Sequence, residues 1–250
     1  MTLAITTSLG MPKDLVEEAE GLAKRNGWAY LPRRKYSVTK LLQGRDGLFL
    51  LAREGLSFHR LGQAVLQFHP DTAILRAKAP HDPLRTLLGT SPKTILDTTM
   101  GLATDAIVMA QAGHQVTAVE SQNLIAQVVA YGLAHYESGW PSFDAAMRSI
   151  EVVHADHLAF LGEQASNAFD IVYCDPMFSQ TITESHNLAG IADLANANQL
   201  TDTFMREACR VAKEAVIFKG HFRDKTFERL GFDRQVRPNQ KFHYGIYRLV

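Results

Sequence analysis

The sequence predicts an α/β protein, a mostly parallel sheet that ends in a C-terminal antiparallel hairpin and is preceded by a small α+β lobe. Two observations carry the sheet. From Lys93 onward short apolar runs alternate with segments of helical period, which is the pattern of a parallel sheet covered on both faces. Near the C-terminus, two strand-like runs flank Arg237-Pro238-Asn239-Gln240, as in a hairpin. A third observation sets the lobe apart: before Lys93 the order is helix first and then clustered short strands. Ala79-Pro80-His81-Asp82-Pro83 and Gly89-Thr90-Ser91-Pro92 punctuate the join. The expected division is a lobe over residues 1–92 and a larger domain over residues 93–250.

The elements follow in order. Asp14 to Arg25 places apolar residues at helical spacing behind Pro12, and Asn26-Gly27 stops that helix. Ser37 to Leu42 reads as a short second helix. Gly47 to Ala52, Leu56 to Leu61 and Ala64 to Phe68 read as strands separated by glycine turns. The repeating region then gives strands at Thr94 to Thr98, Gln115 to Val119, Ile150 to His154, Phe169 to Cys174 and Ala215 to Phe218. Helices are expected over Thr104 to Ala112, Asn123 to Tyr136, Leu158 to Glu163 and Asp193 to Ala212. The run Ser179 to Ala192 is polar and irregular. Phe232 to Val236 and Phe242 to Leu249 form the closing hairpin.

With 250 residues, 46% of them hydrophobic, the chain is long enough to bury a full core. No apolar run approaches the roughly twenty residues that cross a bilayer, and the first residues lack a basic stretch ahead of a long apolar core. The chain therefore reads as cytoplasmic, with no membrane partner. Its two cysteines, Cys174 and Cys209, lie within apolar or helical patterns and argue for neither a disulfide framework nor a thiolate zinc site. The formal net charge is zero, yet residues 93–218 carry 5 Lys and Arg against 15 Asp and Glu, while both flanks are net basic. Basic flanks around an acidic centre suit a polyanion held over a catalytic site. Arg33, Arg34, Lys35, Arg76, Arg234 and Arg237 are the expected phosphate contacts.

The chemistry concentrates at the strand ends. Asp175-Pro176-Met177-Phe178 leaves an apolar strand with a carboxylate, a rigid step and an aromatic ring. The carboxylate of Asp175 and the Pro176 carbonyl accept hydrogen bonds from an amino group, and Phe178 offers a face for a planar base, with Met177 lining the pocket. The first strand-to-helix turn, Asp97 to Asp105, has a single glycine, Gly101, where a dinucleotide site wants three. Acids at both ends of that turn suit a cationic ligand. S-adenosyl-L-methionine has a sulfonium and an ammonium and no phosphate. Glu120 closes the next strand where such folds hold ribose hydroxyls, and Asp156 follows the third strand within reach of an adenine amino group. For each acid singly, helix capping is the plain alternative. His154 and His157 have no third ligand fixed by the sequence, so no metal site is expected.

These residues resemble the small-subunit ribosomal RNA guanine-N2 methyltransferases of the RsmJ type and their uncharacterised relatives. The resemblance runs from Lys93 to the C-terminus, and more faintly through Phe68 to Arg76. It rests on Asp97, Thr99, Gly101, Leu102, Asp105 and Ala106 in the turn, Gly113 and Glu120 around the second strand, His154 and Ala155, and the tetrapeptide Asp175 to Phe178. It implies a class I, Rossmann-like methyltransferase domain that binds S-adenosyl-L-methionine through Thr104, Asp105, Glu120, Ser121, Asp156, His157 and Asp175. It also implies an RNA substrate, ribosomal RNA or a ribosomal particle. The family has Gly-Arg where this chain has Ala103-Thr104, and a proline and several lysines where it has Ser179 and the uncharged run that follows. Two alternatives stand beside this reading: a dinucleotide oxidoreductase, and a methyltransferase fold that acts on a substrate other than RNA or serves as a non-catalytic binding module. The sequence does not fix the oligomeric state.

Overall fold

The computed structural model describes residues 1–176 and 200–249. It contains two sheets. The first is built from β1 (Leu3–Thr7), β2 (Ala29–Tyr30), β3 (Gly47–Ala52), β4 (Gly55–His59) and β5 (Leu66–Gln67), in the order β2-β1-β3-β4-β5. Between them lie α1 (Lys13–Asn26), ended by Gly27 in the left-handed region, and α2 (Val38–Leu42), capped by the Ser37 side chain. β1 and β2 go beyond the sequence reading. β1 pairs in parallel with both β2 and β3, so a five-residue segment becomes an interior strand of this sheet. Its burial comes from long-range pairing, which local pattern does not display.

α3 (Asp71–Lys78) and α4 (Pro83–Leu88) connect the two sheets. α3 fully buries only Ala73, with Ile74 and Ala77 partly buried against the core, a stripe too short to set it apart in the sequence. The second sheet contains β6 (Thr94–Asp97), β7 (Gln115–Glu120), β8 (Glu151–His154), β9 (Phe169–Cys174), β10 (Ala212–His221), β11 (Asp233–Gln235) and β12 (Phe242–Arg248). Their order is β11-β12-β10-β9-β6-β7-β8. β8, β7, β6, β9 and β10 are parallel, and β12 joins β10 antiparallel with β11 outside it, so the hairpin stands where the sequence places it. The helices of this region are α5 (Thr104–Gln111), α6 (Asn123–His135), α7 (Pro141–Arg148), α8 (His157–Glu163), α9 (Asp202–Val211) and α10 (Thr226–Arg229). α7 is a further addition. It starts at Pro141 and fully buries Phe143 and Met147, four residues apart on one face.

The core lies on both faces of the second sheet. On one face Ile107, Val128, Leu133 and Ile217 join Ile5, Phe49 and Phe58 of the first sheet in a single apolar cluster. On the other, Val172, Val216 and Phe218 pack against Phe204, Ala208 and Phe227. The two sheets are joined closely at Gly132, where any added Cβ would sit 2.3 Å from the Phe68 ring. Only glycine admits that approach. Among the described residues, no helix is long and apolar enough to cross a membrane.

Candidate active site

The order β9-β6-β7-β8 sets four acids side by side at the carboxyl ends of the strands: Asp175, Asp97, Glu120 and Asp156. In open parallel sheets this edge is where ligands bind. The turn after β6 is fastened to strands on both sides. Thr98 donates from its N–H and its hydroxyl to the Tyr173 carbonyl, both at 2.9 Å, and Met100 donates to the Val119 carbonyl at 2.9 Å. The Thr99 hydroxyl accepts the Asp175 N–H at 2.6 Å, and the Thr99 N–H donates to Asp97 Oδ1 at 3.0 Å. The Gly101 N–H reaches Glu120 Oε2 at 3.0 Å.

Two residues of this turn have positive φ, Gly101 at 51° and Ala103 at 60°. For alanine the left-handed region costs about 1–2 kcal/mol. Ala103 is fully buried and immediately precedes α5, so the surrounding bonds hold it there. Strain of this kind is commonly stored at working sites. Thr104, the next residue, is partly buried at the first position of α5.

The acids differ in their surroundings. Asp97 is buried, and burial pushes its carboxyl up to about 8, against the Thr99 N–H. Glu120 is buried as well; its Oε1 accepts the Gln122 N–H at 2.8 Å and the Ser121 hydroxyl at 3.4 Å, and burial raises its pKa above the ordinary value. Asp156 is exposed and caps α8, with Oδ1 accepting the N–H groups of Leu158 and Ala159 at 2.9 and 3.1 Å. His157 beside it is partly buried, its ring edge-on to Phe204 at 5.6 Å.

Asp105 and Asp175 belong to a cluster that the sequence does not reveal. Lys219, near the end of β10, donates to Asp105 Oδ2 at 2.8 Å and to Asp175 Oδ2 at 2.6 Å. Arg76, from α3, reaches Asp105 Oδ1 at 2.5 Å and Asp82 at 2.8 Å, and the Tyr173 hydroxyl donates to Asp105 Oδ2 at 2.9 Å. Burial opposes ionisation of Asp105, but Lys219 and Arg76 outweigh it and hold the carboxyl well below its usual range. Asp175 is pushed up to about 6 by burial, which Lys219 opposes and the Asp105 charge reinforces. Lys219 keeps its proton more firmly than usual, since Asp105 and Asp175 overcome its burial.

Arg76 is thus corrected from a phosphate contact to a half-buried, ion-paired member of this cluster, with its side chain 20% exposed. Arg234 is likewise committed, to His243 Nδ1 at 2.9 Å and to the Phe222 carbonyl. Pro176 is buried, beside a cavity of about 210 Å³ lined by Leu200, Phe218, Lys225 and Arg229 among others. Met177 and Phe178 lie outside the described residues. One signal for Lys219 was present in the sequence, a charge continuing the apolar run Ala215 to Phe218, which demands a partner if that strand is buried.

A glycine turn after the first strand of a parallel sheet, an acid closing the second and an Asp-Pro step after the fourth define a protein of the class I methyltransferase fold. A solved S-adenosylmethionine-dependent methyltransferase from Neisseria gonorrhoeae has this fold, with a TM-score of 0.61 at 17% identity, over 98% of this chain and 95% of that one. Residues 32–244 match the family described as "Putative SAM-dependent methyltransferase", and the chain belongs to that family. It is 33% identical to the "Uncharacterized protein YpiP" of Bacillus subtilis, over 97% of this chain and 98% of that protein. It is 28% identical to the ribosomal RNA small subunit methyltransferase J of Pseudoalteromonas atlantica, over 88% of each. The protein is an S-adenosyl-L-methionine-dependent methyltransferase, and its cofactor is S-adenosyl-L-methionine.

Proposed function

We propose that the protein N-methylates an exocyclic amino group of an RNA base, guanine N2 of small-subunit ribosomal RNA, in the cytoplasm where that RNA resides. The observation that carries this reading is the Asp175-Pro176 step, placed between β9 and the charge of Lys219 at the ligand edge of the sheet. The Pseudoalteromonas relative, a ribosomal RNA small subunit methyltransferase, supports the choice of RNA.

The residues at this edge fit the cofactor. Among the described residues, a Cβ added to Gly101 would meet only the Thr99 carbonyl, at 3.9 Å, which leaves room at this backbone for a ligand. Asp97 is a buried carboxyl whose Oδ1 accepts from the Thr99 N–H and hydroxyl, and a cationic group beside it would favour its ionised form. In this reading Asp97, Thr99, Gly101, Thr104 and Asp105 surround the methionine portion. Glu120 and Ser121 hold the ribose, and Asp156 and His157 the adenine. The cofactor supplies an electrophilic methyl group.

The chain's own residues then do the positioning. Lys219 keeps Asp175 ionised against burial, and the Asp175 carboxylate with the Pro176 carbonyl accepts hydrogen bonds from the target amine and aims its lone pair. The same carboxylate stands ready for the proton that the amine releases. Met177 and Phe178 line and stack the base.

Incubation of the purified protein with labelled S-adenosyl-L-methionine and total RNA from a strain lacking its gene is the test. Label is expected in small-subunit ribosomal RNA, on guanine N2. Tight cofactor binding with no label in any RNA would overturn the reading in favour of another substrate or a non-catalytic module.

A further inference from the structure

Beyond Asp175 the ligand edge continues into a strip of alternating cationic and aromatic side chains. Lys219 lies 5.9 Å above the Phe242 ring, and the His221 ring meets Phe242 edge-on at 6.2 Å. His221 lies 4.6 Å from the Phe222 ring, and the Arg223 guanidinium covers Phe222 at 5.0 Å. The register makes the strip continuous. β10 is parallel to β9 with Phe218 opposite Cys174, so Lys219 and His221 extend past the strand end that carries Asp175. His221 and Phe242 are direct partners across β10 and β12.

Phe222 is the exception to the burial rule in this strip, with 37% of its surface exposed. Its backbone is nevertheless fixed at both ends: its N–H donates to the Lys241 carbonyl at 2.8 Å, and its carbonyl accepts from Arg234. An exposed ring on a fixed backbone loses little freedom when something stacks on it. The surroundings favour a polyanion, since residues 219–243 contain seven Lys and Arg against three Asp and Glu. Aromatic faces interleaved with positive charge are what single-stranded nucleic acid requires, because bases stack on the rings while cations track the phosphates.

We propose that Phe222, flanked by His221, Phe242 and Arg223, is a stacking platform for the single-stranded RNA that leads the target nucleotide to Asp175. This inference rests on the RNA reading above and adds the surface that would grip the strand. Arg234 acts on it as a positioning residue, through the Phe222 carbonyl.

The test compares the parent protein with Phe222→Ala, Phe222→Leu and Arg223→Gln. The probes are a fluorescein-labelled single-stranded RNA of about twelve nucleotides, a duplex of the same length, and single-turnover methyl transfer to small-subunit ribosomal RNA. Phe222→Ala should weaken single-strand binding about five- to a hundredfold, with cofactor affinity unchanged and the duplex little affected. Phe222→Leu, which keeps apolar volume without a ring face, should remain weak. Parent-like binding by both Phe222 variants, or full recovery in Phe222→Leu, would overturn the platform while leaving the RNA reading intact. A defect seen only on assembled ribosomal particles, with free RNA unaffected, would assign the strip to a protein partner and also overturn it. If the parent neither binds nor methylates RNA, both readings fall together.

Discussion

The two halves of the ligand edge hold their acids in opposite ways. Around β9 and β10, Asp105 and Asp175 are met by Lys219 and Arg76, so the charges compensate one another inside the protein. Around β7 and β8, Glu120 and Asp156 are met by backbone N–H groups, with a serine hydroxyl added at Glu120. Cation pairing fixes a carboxylate's charge as well as its position. Backbone donors orient a carboxylate without neutralising it, which leaves it able to accept from a ligand's hydroxyl or amino groups. The first half is therefore suited to holding a reacting group in place, and the second to recognising the polar rim of a cofactor.

The largest expected effect follows from breaking the compensation. Lys219→Met would leave Asp105 and Asp175 without their shared cation, and removal of one partner from a buried ion pair costs about 3–5 kcal/mol. Urea unfolding should show a loss of that size. Adding Asp175→Asn to Lys219→Met should recover part of it, because one uncompensated charge is then gone. Equal stability of Lys219→Met and the parent would show that the cluster is not one electrostatic unit.

Next comes Asp175 itself. Asp175→Asn keeps the shape but exchanges an acceptor oxygen for a donor, and turnover should fall by about 10²-fold or more in single-turnover assays. The parent's activity should also depend on pH. An ionised Asp175 is the competent form, so activity should be present above its raised value of about 6 and fall as the pH drops through it. A rate that stays flat down to pH 5, or full activity in Asp175→Asn, would remove Asp175 from the proposed chemistry.

Glu120 tests the other half. Glu120→Ala should weaken S-adenosyl-L-methionine about ten- to a hundredfold by calorimetry, the worth of a charge-assisted hydrogen bond of about 1.5–3 kcal/mol. Stability should change less than in Lys219→Met, because no ion is left unpaired. Unchanged affinity in a folded variant would place the ribose elsewhere.

The two halves also differ in how far the sequence disclosed them. Asp97, Glu120, Asp156 and Asp175 could be found because each ends a short apolar run, and strand order then sets them in a row. The cations could not be found the same way. Arg76 meets Asp105 from 29 positions away, and Lys219 meets Asp105 from 114. Local period states which residues share a face, and it is silent on which distant faces meet. For the same reason β1 was hidden: five residues acquire their place through pairing with β2 and β3. The strand expected over Ala215 to Phe218 in fact runs to His221, and those last three residues carry both Lys219 and the start of the aromatic strip.

The smallest effect, and the one that sharpens the comparison most, belongs to Asp156. Its carboxylate has a structural task already, capping α8, and loss of an N-cap costs about 1 kcal/mol. Asp156→Ala should therefore lose about that much stability whether or not the residue touches adenine. Asp156→Ser separates the two roles, since serine caps a helix nearly as well as aspartate but carries no charge and reaches less far. If Asp156 serves the cofactor, Asp156→Ser should regain the stability measured by thermal unfolding while its affinity for S-adenosyl-L-methionine stays reduced. If affinity returns along with stability, the carboxylate is a helix cap only, and recognition by backbone-held acids in this half of the edge narrows to Glu120.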